Sequence, residues 1–251
     1  MQLTATIQHA IQQHAAEVFP QECCGVIVTG IYFPCRNVAQ GLDQFEIHHQ
    51  DLADAEDLGE IEAYVHSHPN ASARASELDL LQIELHQKPW VICAYPEIEF
   101  QVYAPNGYRA PLVGRNYYHG WQDCYALIRD YYQREFGIAI PDFERIDCWW
   151  EDPAHASLYL DNFSKAGFYE VDSIQRGDVL ICRVGRTEHP NHAVVYLAND
   201  AELQSEQTEP CIGSALILHH PYQRKSVREV YGTQWQERVV KIVRHRDVKN
   251  H

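Results

Sequence analysis

Tyr64-Val65-His66-Ser67-His68-Pro69, followed by Ser76-Glu77-Leu78-Asp79, is the stretch on which the reading of this chain turns. On an extended backbone, residues two apart share a face, so His66 and His68 project together from the end of a strand. Pro69 and Asn70 break that strand. Ser76 suits a helix N-cap, with Glu77 and Asp79 early in a helix that runs through Leu78, Leu81, Ile83 and Leu85. Two imidazoles and a carboxylate at this spacing can converge on one divalent metal. A hydrolytic zinc site needs three such ligands, here His66, His68 and Asp79, and one open position. Glu22, in Pro20-Gln21-Glu22-Cys23-Cys24-Gly25, sits just before an apolar strand and is the candidate general base. Ser76 lies one helical turn before Asp79, where its hydroxyl can hold an oxyanion. A chance His-x-His pair is the bland alternative in a chain with 15 histidines. The register of Pro69, Ser76 and Asp79 weighs against it. His48 and His49 read as a polar strand end, not as ligands.

A second constellation lies in the other half. Asp123-Cys124-Tyr125 opens an apolar-periodic segment that runs to Tyr132, which puts Cys124 in the first turn of a helix. A helix N-terminus together with an imidazole lowers a thiol pKa, as a cysteine nucleophile requires. His192 begins the strand 192–197 and is the candidate base. A third polar group should orient that imidazole. His219 is the first choice and His220 the second, because strand alternation turns only one of the two inward. The competing reading is a buried helix cysteine and a surface histidine.

Composition limits the alternatives. The chain has 251 residues, enough for one large or two small domains, and 45% of them are hydrophobic, enough for a sizeable core. The formal net charge is −15, with no run of Lys and Arg. That argues against nucleic acid as the partner, since phosphate contacts need clustered cations. The N-terminus lacks a basic stretch leading into a long apolar one, so no signal peptide is expected, and no apolar run is long enough to span a bilayer. The eight cysteines are scattered without a Cys-x-x-Cys pair and read as thiols made in a reducing compartment.

Along the chain, 2–18 reads as an amphipathic helix with Ile7, Ile11 and Ala15 on one face. Strands are expected at 24–28, 31–38, 45–48, 62–68, 90–95 and 99–103, with a solvated helix or loop over 51–60. The turn-rich stretch 104–111 marks the domain boundary. Beyond it come the helix from Asp123, an aromatic turn at Trp149-Trp150, and a mixed segment over 163–171. Strands follow at 179–183, 192–197, 215–220 and 239–244, with a polar loop over 199–211. Trp149 and Trp150 can line a sugar groove but are more often core residues.

At these residues two resemblances become specific. The first half resembles the JAMM (MPN/Mov34) metalloproteases, whose pattern is an upstream Glu, His-x-His-Pro, six residues, Ser, two residues, Asp. The resemblance implies an α/β sandwich, Zn2+ as cofactor held by His66, His68 and Asp79, Glu22 as general base and Ser76 as transition-state stabiliser. The second half resembles the NlpC/P60 cysteine peptidases in Asp123-Cys124, Gly177-Asp178, the strand led by His192, and Ile217-Leu218-His219. That implies a papain-like α+β core with Cys124, His192 and His219 as catalytic residues, peptidoglycan stem peptides as substrates, and an upstream tyrosine lining the site. Tyr117 is the first match and Tyr118 the second. Tyr125 after the cysteine, where many members carry Ser, is a departure.

The fold expected is therefore α+β in two domains, 1–104 and 116–251, joined by a linker over 105–115. The fusion resembles a family of tail-tip assembly proteins of long-tailed phages. It implies a bifunctional peptidase with other phage tail-tip proteins as partners. Such a protein is made in the host cytoplasm, can join the virion tail tip, and acts in the periplasm on entry. A tail-tip scaffold with little turnover is the alternative, and a protease of small protein modifiers is a further one.

Overall fold

The apolar period that begins the chain folds as α1 (Ala5–Val18), capped by Thr4 and burying Ile7, Ile11 and Ala15 along one face. The computed structural model describes residues 3–42, 44–199 and 202–248. Residues 1–2, which open the expected first helix, and 200–201, within the expected 199–211 loop, lie outside the described residues, as do 43 and 249–251. The chain divides into two compact units, Met1–Ala110 and Pro111–His251.

In the first unit, β1 (Cys24–Val28) and β2 (Ile31–Cys35) form a hairpin. Thr29 and Gly30 both sit at positive φ, as a two-residue turn matched to strand twist requires, and glycine accepts that conformation without strain. After α2 (His49–Leu58) come β3 (Ile61–Pro69), α3 (Glu77–His86), β4 (Trp90–Tyr95) and β5 (Glu99–Tyr103). The sheet order is β2-β1-β3-β4-β5, and β3 and β4 are its parallel pair. Ala63 and Val65 of β3 join Ile27, Val91 and Cys93 in the core under α1. Alternation then turns Tyr64, His66 and His68 to the opposite face. On that face Val26 and Ile61 pack with Ala55 of α2.

Phe45–His48 is not a strand. The Asn37 side chain accepts from the backbone N–H of Ala39 and Glu46 (both 3.0 Å) and donates to the Gln44 carbonyl (3.0 Å). It takes the partners that a ladder would use, and one bridge remains, Asn37 to Ile47. His48 is the N-cap of α2, its Nδ1 accepting from Gln50 N (3.2 Å), and is not a strand end.

The second unit is built on α4 (Cys124–Tyr131), which runs on into a π turn over Tyr132–Phe136, and α5 (Leu158–Asn162). Its strands are β6 (Phe168–Glu170), β7 (Val179–Cys182), β8 (His192–Ala198), β9 (Leu216–His219), β10 (Val227–Val230) and β11 (Val239–His245), with α6 (Thr233–Gln236) before the last. The sheet order is β10-β9-β8-β7-β11-β6, antiparallel throughout. Ala193, Val195, Leu216 and Leu218 share the core with Leu127, Ile128 and Tyr131 of α4. Val194, Ile217 and Trp235 pack together on the reverse face. The mixed segment at 163–171 is not helical at its start: a turn over 163–167 follows α5 and leads into β6. Three elements were not expected from the pattern: α5, α6 and the short β10. All eight cysteines are free.

Gly25 stands where β1 meets the hairpin at closest approach. A Cβ there would lie 2.4 Å from the Phe33 carbonyl oxygen and 2.7 Å from the Tyr32 ring. Because the nearer atom is backbone, relief requires the strands to part. Gly25→Ala is expected to destabilise the first unit by about 2–3 kcal/mol, read as a lower midpoint in denaturant unfolding.

Candidate functional site

The pleat of β3 delivers His66 and His68 to one spot, and the first turn of α3 delivers Asp79 to the same spot. Ser76 and Asp79 form a reciprocal cap. Ser76 Oγ accepts from Asp79 N (3.1 Å), and Asp79 Oδ2 accepts from Ser76 N (2.7 Å). The cap fixes the Asp79 carboxylate 3.3 Å from His66 Nε2 and 3.4 Å from His68 Nε2. The two Nε2 atoms are 3.0 Å apart. Ser67, between them, faces the other way and accepts from Cys23 N (2.8 Å), tying the start of β1 to the end of β3. The hydroxyl oxygen of Ser76 thus serves as a helix cap in addition to any role in chemistry.

This cluster fits a divalent cation. His68 Nδ1 lies 2.9 Å from the Ser72 carbonyl and must donate to it, which leaves a bare lone pair on Nε2 of the neutral ring. That lone pair, the facing His66 Nε2 and a carboxylate crowd one point. The observed edges of 3.0–3.4 Å are close to the ~3.3 Å edge of a tetrahedron with bonds of ~2.0–2.1 Å. Burial opposes charge on His68, but Asp79 and the Ser72 carbonyl outweigh it and raise its pKa. Glu22 is buried, and its charge helps raise the His68 pKa. The Phe45 ring stacks on His66 at 4.7 Å.

In the second unit, Asp123 caps α4. Its Oδ1 accepts from Ala126 N (2.9 Å), and its Oδ2 accepts from Gly120 N (3.0 Å) and from Arg145 Nε (2.6 Å). A buried guanidinium thus compensates a buried carboxylate directly beside Cys124. The Cys124 sulfur opens on a cleft of about 360 Å3 that His192, His219, Tyr117, Trp150 and Tyr159 also line. It is 3.1 Å from the Tyr159 phenol oxygen, and the Ala193 N–H at the start of β8 also favours its thiolate. The thiol pKa nevertheless moves opposite to the expectation. Burial, then the Asp123 charge, push it up to about 11, beyond what Tyr159, the Ala193 N–H and Arg145 recover.

His192 and His219 stand on adjacent strands, with His219 opposite Val194, so both lie on the sheet face away from α4. His192 Nε2 is 3.1 Å from His219 Nδ1. His219 Nε2 in turn is 3.0 Å from Oε1 of Glu229, with its N–H direction off-line; burial outweighs Glu229 and pushes the His219 pKa down to about 4, so this is a contact of a neutral ring. Glu229 lies two residues along β10 from Val227, the partner of His219. It also accepts from the Trp235 indole, whose ring covers both imidazoles. A carboxylate accepts only, so it holds the proton on His219 Nε2. His219 Nδ1 is then an acceptor for His192 Nε2–H, which leaves His192 Nδ1 with its lone pair. Burial, reinforced by the charges of His219 and His220, holds the His192 pKa well below the ordinary value.

His220 points to the other side, with its ring 5.2 Å from Tyr117 and its pKa pushed down to about 4 by burial and then by Arg115. His219, not His220, meets His192. Tyr117 lines the cleft with its hydroxyl 3.2 Å from His119 Nδ1, whereas Tyr118 forms a backbone bridge to Gln122. The structure therefore brings together His66, His68 and Asp79 in one unit, with Glu22 buried in the same unit, and Cys124, His192, His219 and Tyr117 around one cleft in the other. Sequence reading missed Glu229 and Tyr159. No sequence signal marked either: Val227-Arg228-Glu229-Val230 does not alternate, and Tyr159 has no distinguishing neighbours.

The raised thiol pKa has a direct readout. Alkylation of Cys124 by iodoacetamide, followed by peptide mass spectrometry, is expected to be slow at pH 7 and to climb steadily towards about pH 11 as thiolate forms.

Residues 114–244 match the model of the NlpC/P60 family, and residues 4–103 match that of prokaryotic homologs of the JAB domain. Tail tip assembly protein K of Escherichia phage N15 is 38% identical over 247 residues, covering 96% of this chain and 94% of the relative. The protein of the same description from Escherichia phage lambda is 39% identical over 200 residues, covering 78% and 88%. Among solved structures, a JAB1/MPN domain protein from Archaeoglobus fulgidus is similar, with a TM-score of 0.30, 19% identity, and 42% of this chain and 91% of that one covered.

Proposed function

The chain belongs to the tail tip assembly protein K family, with a JAB domain ahead of an NlpC/P60 domain, and on that premise we propose that it is a peptidase of a phage tail tip. Its NlpC/P60 domain cuts an amide of peptidoglycan stem peptides. One observation carries this reading: the row Glu229–His219–His192 ends at the cleft into which Cys124 opens. The carboxylate orients His219, His219 orients His192, and the free Nδ1 of His192 is the base. In the resting site the thiol keeps its proton and the imidazole is neutral. When a peptide carbonyl reaches Cys124, the thiol proton passes to His192 and the sulfur attacks the carbonyl carbon. His192 then gives that proton to the departing amine, and water, deprotonated by the same ring, hydrolyses the thioester. Backbone N–H groups at the start of α4 are oxyanion donors. Tyr117 lines the substrate side of the cleft.

The JAB domain acts as a zinc peptidase on another tail protein or on a wall cross-bridge. His66, His68 and Asp79 would hold the ion, which when bound would supply Lewis-acid polarisation of a carbonyl and a more acidic water. Glu22 accepts the proton, and the Ser76 hydroxyl donates to the oxyanion. The protein is made in the host cytoplasm, joins other tail-tip proteins during assembly, and reaches the periplasmic wall on entry.

Two measurements test this. Mass spectrometry of fragments released from Gram-negative peptidoglycan should find release by the wild type and none by Cys124→Ala. Glu229→Gln should cut the rate by at least about tenfold by releasing the imidazole row. No release by the wild type would favour the scaffold reading. Separately, metal analysis of purified protein should find close to one zinc per chain, lost in Asp79→Ala while the rest of the chain stays folded by circular dichroism. Wild-type protein that neither carries zinc nor takes it up would overturn the second assignment.

A further inference from the structure

Cys124 has a neighbour outside the row of imidazoles. The phenol oxygen of Tyr159 lies 3.1 Å from its sulfur. Tyr159 is the second residue of α5, whose first turn is capped by Ser157. Its ring is buried, with Tyr125 and Trp149 at 6.3 and 6.1 Å. One side of it faces the cleft, and the other faces an apolar pocket formed with Ile128, Phe143 and Phe163. Burial, then the charge of the neighbouring thiolate, hold the phenol pKa well above its ordinary value, so this O–H stays protonated across the working pH range. A thiol is a weak hydrogen-bond partner, whereas a thiolate is a charged acceptor, and bonds to charged acceptors are the stronger ones.

We propose that Tyr159 is a further catalytic residue, a fixed donor that holds the Cys124 sulfur and stabilises its thiolate while the proton leaves. The inference rests on the reading of Cys124 as nucleophile. In the step, the S–H bond breaks, the proton goes to His192 Nδ1, and the electron pair stays on sulfur. The Tyr159 O–H donates to that pair and keeps its own proton. Sulfur then bonds the carbonyl carbon as the π pair moves to oxygen, and the tyrosine ends unchanged. The rigid setting of the ring matters, because a donor that swung into solvent would lose the bond to water.

The pH profile of Cys124 alkylation by iodoacetamide, resolved by peptide mass spectrometry in the full chain, tests this without needing turnover. Tyr159→Phe keeps the ring and removes the donor. It should move the midpoint up by about one pH unit and slow alkylation at pH 8 by about tenfold. Tyr125→Phe is the control. It loses a buried hydroxyl bonded to the Pro141 carbonyl, away from the sulfur, and should leave the midpoint in place. Should Tyr159→Phe fail to fold by thermal melt, 3-fluorotyrosine at position 159 gives a stronger donor of nearly the same shape and should move the midpoint down. An unchanged midpoint in the folded variant, or with the fluorinated residue, overturns the proposal. A shifted midpoint in protein that releases no wall peptide keeps Tyr159 as thiolate donor and sinks the substrate reading alone. Wall cleavage with no shift does the reverse.

Discussion

The period-2 pleat of the β-strand is the constraint from which both sites follow. Residues two apart share a face, and directly paired residues on neighbouring strands share it too. In the first unit one strand supplies both imidazoles, His66 and His68, because Ser67 between them is turned to the core and bonded to Cys23 N. In the second unit the same rule works across strands. His192 on β8, His219 on β9 and Glu229 on β10 fall on one face because Val194 pairs with His219 and His219 pairs with Val227. A slip of one residue in either register would send an imidazole to the opposite face and replace it with an apolar side chain.

A helix start completes each site, and in each an aspartate does two jobs. Asp79 closes a reciprocal cap with Ser76 while its oxygens face two imidazoles. Asp123 caps α4 while it binds Gly120 N and Arg145. Capping spends one direction of a carboxylate and leaves the other for the site. This economy also rigidifies, since the rotamer of each aspartate is set by backbone N–H groups before any ligand arrives. The consequences differ with the charge nearby. At Asp79 the carboxylate faces groups that can share a cation. At Asp123 it stands beside a thiol whose ionisation it opposes, and the guanidinium of Arg145 offsets only part of that.

Spacing made much of this legible. His-x-His before a proline, a capping serine three residues before an aspartate, and an aspartate-cysteine pair at the head of an apolar helix are local patterns, and local backbone geometry realised each of them. The architecture of two mixed units followed from the same patterns. What escaped was set by tertiary contacts. Phe45–His48 alternates like a strand, but one asparagine side chain took its ladder partners. β10 is four residues long, too short for periodicity, so Glu229 was invisible until β9 offered it an edge. Tyr159 is one of 15 tyrosines, and only the meeting of α5 with the head of α4 sets it apart. The thiol pKa was misjudged for a related reason. The helix N-terminus is visible in sequence, but the burial that raises the thiol pKa is not.

On the proposed reading, that resting thiol bears on how the second site would operate. Burial and the Asp123 charge raise the thiol pKa, so a free thiolate is disfavoured at pH 7. An ion pair formed in advance is therefore a poor description, because the buried His192 resists protonation as the thiol resists losing its proton. The two penalties have one origin, the loss of water around both groups, and they are relieved together only if the proton moves as the sulfur bonds to carbon. Charge on the sulfur, held by the Tyr159 hydroxyl on the proposed reading, would then be brief and pass to the carbonyl oxygen, towards the N–H groups of α4. A site of this kind keeps its cysteine as a thiol until a peptide fills the cleft, which protects it from oxidation and stray alkylation.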